Sequence, residues 1–178
     1  MKDESRNLGA NADVILLAED SEADVFLLRR SFEEAHIPVS LHVVKDGVEA
    51  MAYLQGDGKY ANREEYPIPD LLLIDLKMPR LNGFDVLALI RGQPGFSDLQ
   101  VVMLTSSDYR RDAQMADALG VTSFVIKPVD PEGSVALTKS IHDLCVSIRK
   151  KRQTSKRSEQ RTSPNPSRKG KKWSKRPT

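Results

Sequence analysis

Three carboxylates, a hydroxyl and an ammonium stand just after short apolar runs in this chain. Glu19-Asp20 follow Val14–Ala18, Asp75 follows Leu71–Ile74, Thr105-Ser106 follow Val101–Leu104, and Lys127-Pro128 follow Phe124–Ile126. Bare carboxylates brought together repel, and one takes up a proton. A hard divalent cation resolves the conflict. Mg²⁺ takes oxygen ligands and keeps several waters, so two carboxylates and a backbone carbonyl suffice. Asp20 and Asp75 are the natural direct ligands, Glu19 acts directly or through water, and the carbonyl of Lys77 can reach the metal. One oxygen of Asp75 is then free to attack phosphorus, since carboxylates are nucleophiles for phosphoryl groups. Such a transfer needs charge neutralised more than it needs covalent chemistry. Lys127 supplies a point charge, and the Thr105 hydroxyl and the N–H groups after Asp75 supply hydrogen bonds.

These groups meet only if the runs are strands of one sheet. With Leu41–Val44 there are five runs, too short for helices and mostly continuous rather than alternating, which suits strands buried on both faces. Helical patterns lie between them. Ser21-Glu22-Ala23-Asp24 fits a capping-box start ahead of Val25, Leu28, Phe32 and Ala35. Asp46 can cap Gly47–Gln55. Phe84–Arg91 ends at Gly92, and Asp108 can cap Tyr109–Leu119 ahead of Gly120. Asp130-Pro131 opens a last helix with a buried stripe of Leu137, Ile141, Leu144 and Ile148. Strand and helix thus alternate five times. The expected fold is α/β, a doubly wound five-stranded parallel sheet, (βα)5, in the flavodoxin-like order 2-1-3-4-5. Such sheets place their sites at the carboxyl ends of the strands. The connection Gly56–Pro69 is expected to be a surface loop with mobile parts.

The 178 residues carry 27 Lys+Arg and 25 Asp+Glu, and the net charge of +2 hides a split. From Arg149 onward there are 13 basic residues and one acid, Glu159, which leaves 14 basic and 24 acidic residues before it. The reading is a flexible N-terminus over 1–12, one folded domain over 13–148, and a disordered basic tail over 149–178 whose one large apolar residue is Trp173. The single cysteine, Cys145, excludes an intramolecular disulfide and a zinc site needing two thiolates. No apolar run approaches the ~20 residues of a membrane span. A cytoplasmic protein of a reducing compartment is expected.

The stretches Ile15-Leu16-Leu17-Ala18-Glu19-Asp20, Leu73-Ile74-Asp75-Leu76-Lys77-Met78-Pro79, Leu81-Asn82-Gly83-Phe84, Val102-Met103-Leu104-Thr105-Ser106 and Val125-Ile126-Lys127-Pro128 stand in this order. Together they resemble the receiver domain of two-component response regulators. Three further cues are Ala18 through Asp24, Leu41 through Gly47, and the loop ending Pro67-Ile68-Pro69-Asp70. They look closest to the stand-alone receivers associated with phytochrome-type sensor kinases. The resemblance implies a sensor histidine kinase as phosphoryl donor to Asp75, and Mg²⁺ bound by Glu19, Asp20 and Asp75. It implies Thr105 and Lys127 on the phosphoryl oxygens, and a cis Lys127–Pro128 peptide. It implies a switch in which Phe124, where tyrosine is frequent, turns inward as Thr105 moves. It implies that Lys77 and Ser107 hold the two positions that tune phosphoryl lifetime in this family. Such a module is a phosphoacceptor rather than an enzyme acting on outside substrates.

Each residue also has a plainer role. Glu19 and Asp20 suit a helix N-terminus, Asp75 a loop, Thr105 a cap and Lys127-Pro128 a turn. It is the joint pattern that speaks for the site. His36, His42 and His142 lack a metal-ligand spacing, and Cys145 sits among apolar residues. Gly56-Asp57-Gly58-Lys59-Tyr60-Ala61 matches a dinucleotide pattern but follows a helix rather than a strand. For the basic tail, nucleic acid, an anionic membrane surface, an acidic protein partner and the acidic body compete with a tail that has no specific target. A nucleic-acid-binding protein acting mainly through the tail is the alternative function. An aspartyl phosphatase ranks last because no segment suits a substrate-enclosing cap. Homodimerisation stays open.

Overall fold

Leu71, Leu72, Leu73 and Ile74 are wholly buried, which only a strand covered on both faces achieves. In the computed structural model, which describes residues 12–106 and 110–162, they belong to β3, Leu71–Asp75. The other strands are β1 (Asp13–Ala18), β2 (Val39–Val44), β4 (Gln100–Thr105) and β5 (Ser123–Ile126). The helices are α1 (Glu22–Glu34), α2 (Gly47–Gln55), α3 (Gly83–Arg91), α4 (Arg110–Ala118) and α5 (Pro131–Thr162). All pairings are parallel, and the strand order is β2-β1-β3-β4-β5, as expected. Each apolar run lies within a strand that extends it by one or two residues. The edge strands β2 and β5 are largely half-buried, because one flank of each lacks a neighbour.

The helix starts follow the side chains that cap them. The Ser21 Oγ accepts from Asp24 N, and Asp46 accepts from Glu49 N. Asn82 caps α3 in a full capping box with Asp85, so α3 begins at Gly83, one residue earlier than expected. The Asp130 carboxylate accepts from Gly133 N. The proposed cap Asp108, with Ser107 and Tyr109, lies outside the described residues.

The connection after α2 is tied down rather than loose. It holds a short 3₁₀ turn, Gly58–Tyr60, and Tyr60 is buried. Tyr53, Tyr60 and Tyr66 pack with ring centroids 5.1–5.9 Å apart, and the Tyr53 hydroxyl donates to the Pro67 carbonyl at 3.0 Å. The Arg63 guanidinium donates to the carbonyls of Tyr53 (2.8 Å) and Leu54 (2.7 Å) at the end of α2, and to that of Tyr66 (3.2 Å). A cation at a helix C-terminus satisfies orphan carbonyls and suits the helix dipole. We expect Arg63→Ala to destabilise the domain by about 1–3 kcal/mol, the cost of leaving such acceptors unpaired. Urea unfolding measures this, and limited proteolysis should then cut first within Gly56–Pro69.

Contacts divide the chain into two units, Met1–Cys145 and Val146–Thr178. In the first, the core gathers β1, β3 and β4 with Val86, Leu87 and Ile90 of α3 on one side of the sheet. Of the stripe expected on α5, Ile141 is buried and Leu137 and Leu144 are half-buried, and Cys145, outside that stripe, is buried too. In the second, helix continues through Thr162, past the boundary drawn at 148. Lys, Arg and Gln are good helix formers, and basic residues near a C-terminus suit the dipole. Lys151, Arg152, Gln153 and Thr154 are exposed there. The remainder of the basic tail and the N-terminal residues 1–11 lie outside the described residues. No helix among the described residues is long and apolar enough to cross a membrane.

Candidate functional site

The order β2-β1-β3-β4-β5 reverses direction between β1 and β3, and a crevice opens there beyond their carboxyl ends. Glu19 and Asp20 leave β1 at this point, and Asp75 ends β3. The backbone fixes the neighbours. Glu19 N–H donates to the Val44 carbonyl (3.0 Å), Leu76 N–H to Leu104 (2.8 Å), and Lys127 N–H to Thr105 (2.7 Å). Since Asp75 is in register with Leu104 and Thr105 with Ile126, the ends of β3, β4 and β5 deliver Asp75, Thr105 and Lys127 to the same rim. Gly83 is needed close by. A Cβ there would stand 2.8 Å from the Asp75 carbonyl oxygen, so only glycine lets α3 start against the end of β3.

Carboxylate oxygens of Glu19, Asp20 and Asp75 lie within 4.8 Å of one another. Glu19 and Asp75 are buried and Asp20 is exposed, so the group is open to solvent on one side. This all-oxygen donor set, with room for water, fits Mg²⁺ or Mn²⁺. The Lys127 ammonium sits beside it, 2.6 Å from Glu19 Oε2, 2.7 Å from Asp24 Oδ2 and 2.8 Å from Asp75 Oδ1. The other Asp75 oxygen, Oδ2, accepts from Lys77 N–H at 2.9 Å. Glu19 Oε1 accepts from Ser21 N–H at 3.2 Å.

The charges perturb one another. Burial pushes the Glu19 carboxyl above its ordinary pKa, and the hydrogen bond and charge of Lys127 only partly oppose this. Burial by itself would lower the Lys127 pKa. Its hydrogen bonds to Asp24, Asp75 and Glu19 outweigh that, so the lysine is held above its ordinary value.

Of the residues expected at the site, Glu19, Asp20, Asp75 and Lys127 are brought together as one group. Thr105 is buried at the end of β4. Phe124 lies on β5 opposite Met103, half-buried and packed against the core. The cis expectation for Lys127–Pro128 is corrected, because no peptide bond among the described residues is cis. Trans is the lower-energy isomer even before proline, by about 0.5–1 kcal/mol. One member went unseen in the sequence. Asp24 read only as a capping residue of the first helix, yet its carboxylate reaches Lys127. Its place one helical turn after Asp20, on the site side of α1, was the available signal.

With this geometry in view, the comparisons agree. Residues 15–139 match the family model of the response regulator receiver domain, and the chain belongs to that family. Response regulator Rcp1 of Synechocystis sp. is 39% identical over 114 residues, covering 64% of this chain and 76% of Rcp1. Among solved structures, the phosphorylated cyanobacterial phytochrome response regulator RcpA superposes with a TM-score of 0.70 at 33% identity, covering 77% of this chain and 96% of RcpA. The Mn²⁺-bound form of Rcp1 superposes with a TM-score of 0.64 at 35% identity, covering 72% of this chain and 91% of that one. The chain is thus a receiver of two-component signalling, similar to stand-alone regulators of the phytochrome-associated group.

Proposed function

We propose that this receiver accepts a phosphoryl group on Asp75 from a sensor histidine kinase of the phytochrome type. The observation that carries the reading is the direct ion pair of Lys127 with Asp75, inside a group of acidic oxygens that also includes Glu19 and Asp20. Glu19, Asp20 and Asp75 would hold Mg²⁺ with the Lys77 carbonyl, and the bound ion would offset the negative charge of the incoming phosphoryl group. The Asp75 oxygen attacks phosphorus, and the P–N bond to the donor histidine breaks with its electron pair returning to the imidazole. Lys127 and the Thr105 hydroxyl hold the phosphoryl oxygens, while Lys77 N–H keeps the Asp75 carboxyl oriented.

The resulting change biases two conformations of the domain rather than creating a new one. Thr105 shifts toward the phosphoryl group and the Phe124 ring follows inward. Output passes to a protein partner or through the basic segment that begins at Arg149. The kinase assignment rests on the likeness to Rcp1 and RcpA.

The test is intact mass after incubation with acetyl phosphate. We expect a gain of one phosphoryl group with Mg²⁺ present and none with excess EDTA. Equal labelling in EDTA would remove the metal from the proposal, and no labelling under either condition would count against the phosphoacceptor itself.

A further inference from the structure

An ammonium group has three N–H donors, and at Lys127 all three face carboxylates. Two of these acceptors, Glu19 and Asp75, belong to the acidic group that suits a cation. The third, Asp24, does not. It is the third residue of α1, and its side chain keeps 40% of its exposure, against 17% for Lys127.

Its orientation has a local cause. At the third position of a helix, an acidic side chain normally turns back to the N-cap N–H and completes a capping box. Here the Ser21 Oγ makes its half of that exchange, accepting from Asp24 N at 3.3 Å. The Ser21 N–H, however, is already taken by Glu19 Oε1. The Asp24 carboxylate is released from the cap and turns to Lys127.

We infer that Asp24 is a positioning residue that restrains Lys127 and competes with the phosphoryl group for it. The inference rests on the phosphoacceptor reading of Asp75. A phosphoryl group on Asp75 presents new anionic oxygens to Lys127, whose three donors are already engaged. Asp24 holds one donor and offsets part of the charge that would otherwise attract the phosphoryl oxygens. A cavity of about 60 Å³ beside Asp24 and Lys127, walled by Leu17, Leu28, Leu104 and Leu137, gives the lysine stem room to shift. Asp24 thereby lowers the affinity of the site for a phosphoryl group and sets how readily the switch is thrown.

The test is titration with beryllium fluoride, a phosphoryl mimic, in saturating Mg²⁺, followed by ¹⁹F NMR. Asp24→Asn and Asp24→Glu are compared with the unaltered chain, each with Lys127 and with Lys127→Ala. We expect Asp24→Asn to bind about three- to tenfold more tightly, the size of one charge-assisted contact to a part-exposed partner. Asp24→Glu, which keeps the charge, should stay near the unaltered affinity. In the Lys127→Ala background, Asp24→Asn should change nothing. Equal or weaker binding by Asp24→Asn overturns the inference, as does the same tightening without Lys127. Failure of the unaltered chain to bind the mimic removes the phosphoacceptor reading instead. Thermal unfolding of the same four-way cycle without divalent ions is a readout independent of phosphoryl chemistry. The losses from Asp24→Asn and Lys127→Ala must be non-additive there, and additive losses also overturn the inference.

Discussion

Asp75→Asn should take up no phosphoryl group from acetyl phosphate or a kinase while keeping the fold. The amide is nearly isosteric with the carboxylate, the backbone bonds at Leu76 and Lys127 do not involve its side chain, and an amide oxygen can still accept from Lys77 N–H. What disappears is the nucleophile, since an amide oxygen is a poor one and its nitrogen has no free lone pair. The same change removes one of three clustered carboxylates, so Mg²⁺ should bind at least tenfold more weakly, on the order of one lost charged ligand. It relieves repulsion among the acids but also takes from Lys127 one of its three carboxylates, leaving Glu19 and Asp24, so unfolding without divalent ions should shift far less than on loss of the lysine. Intact mass, Mg²⁺ titration and thermal unfolding read the three effects separately. Stoichiometric labelling of the variant would place the acceptor elsewhere.

Lys127→Ala should be the most damaging single change to the site as a structure. It leaves Glu19, Asp24 and Asp75 without the ammonium that lies 2.6–2.8 Å from each. Removing one partner of a buried ion pair costs 3–5 kcal/mol, and because Asp24 is partly exposed we expect about 3 kcal/mol here. For a domain of this size that lowers Tm by roughly 10 °C. The sign of the metal effect separates this loss from general damage. With its competing cation gone, the acidic group should bind Mg²⁺ more tightly, so Mg²⁺ should raise Tm more in the variant than in the unaltered chain. Labelling by acetyl phosphate should nevertheless fall by roughly 10²-fold, since a preorganised donor for the phosphoryl oxygens is missing. A variant whose Tm ignores Mg²⁺ would show that Lys127 and the cation do not share these carboxylates.

The strands and their order along the chain were legible because mostly continuous apolar runs of three to five residues have few other uses. The runs around Leu17, Leu73 and Leu104 are buried on both faces, and the polar residues at their ends therefore face the same rim. The helix starts were legible where a side chain caps the backbone locally, as at Ser21 and Asp46. The start of α3 lies one residue before the apolar pattern begins, because Asn82 caps the helix and Gly83 adds no apolar side chain to mark it. The loop Gly56–Pro69 looked loose because its anchors are not local in pattern. Arg63 reaches back across the loop to carbonyls of α2, and three tyrosines from two segments meet in space.

The sequence by itself determined the sheet, the rim and the identity of the four charged residues Glu19, Asp20, Asp75 and Lys127, because they stand at the ends of three strands, β1, β3 and β5, and parallel strands end on one side. Only the tertiary structure decided how those charges are shared. Lys127 stands more than 100 residues from Glu19 and Asp24 along the chain. Which carboxylates it meets depends on how β5 lies against β4 and how α1 leaves β1. The contact of Asp24 with Lys127 was decided there as well, where Glu19 rather than Asp24 accepts from the Ser21 N–H. That competition turns on side-chain placement, which residue type alone does not carry.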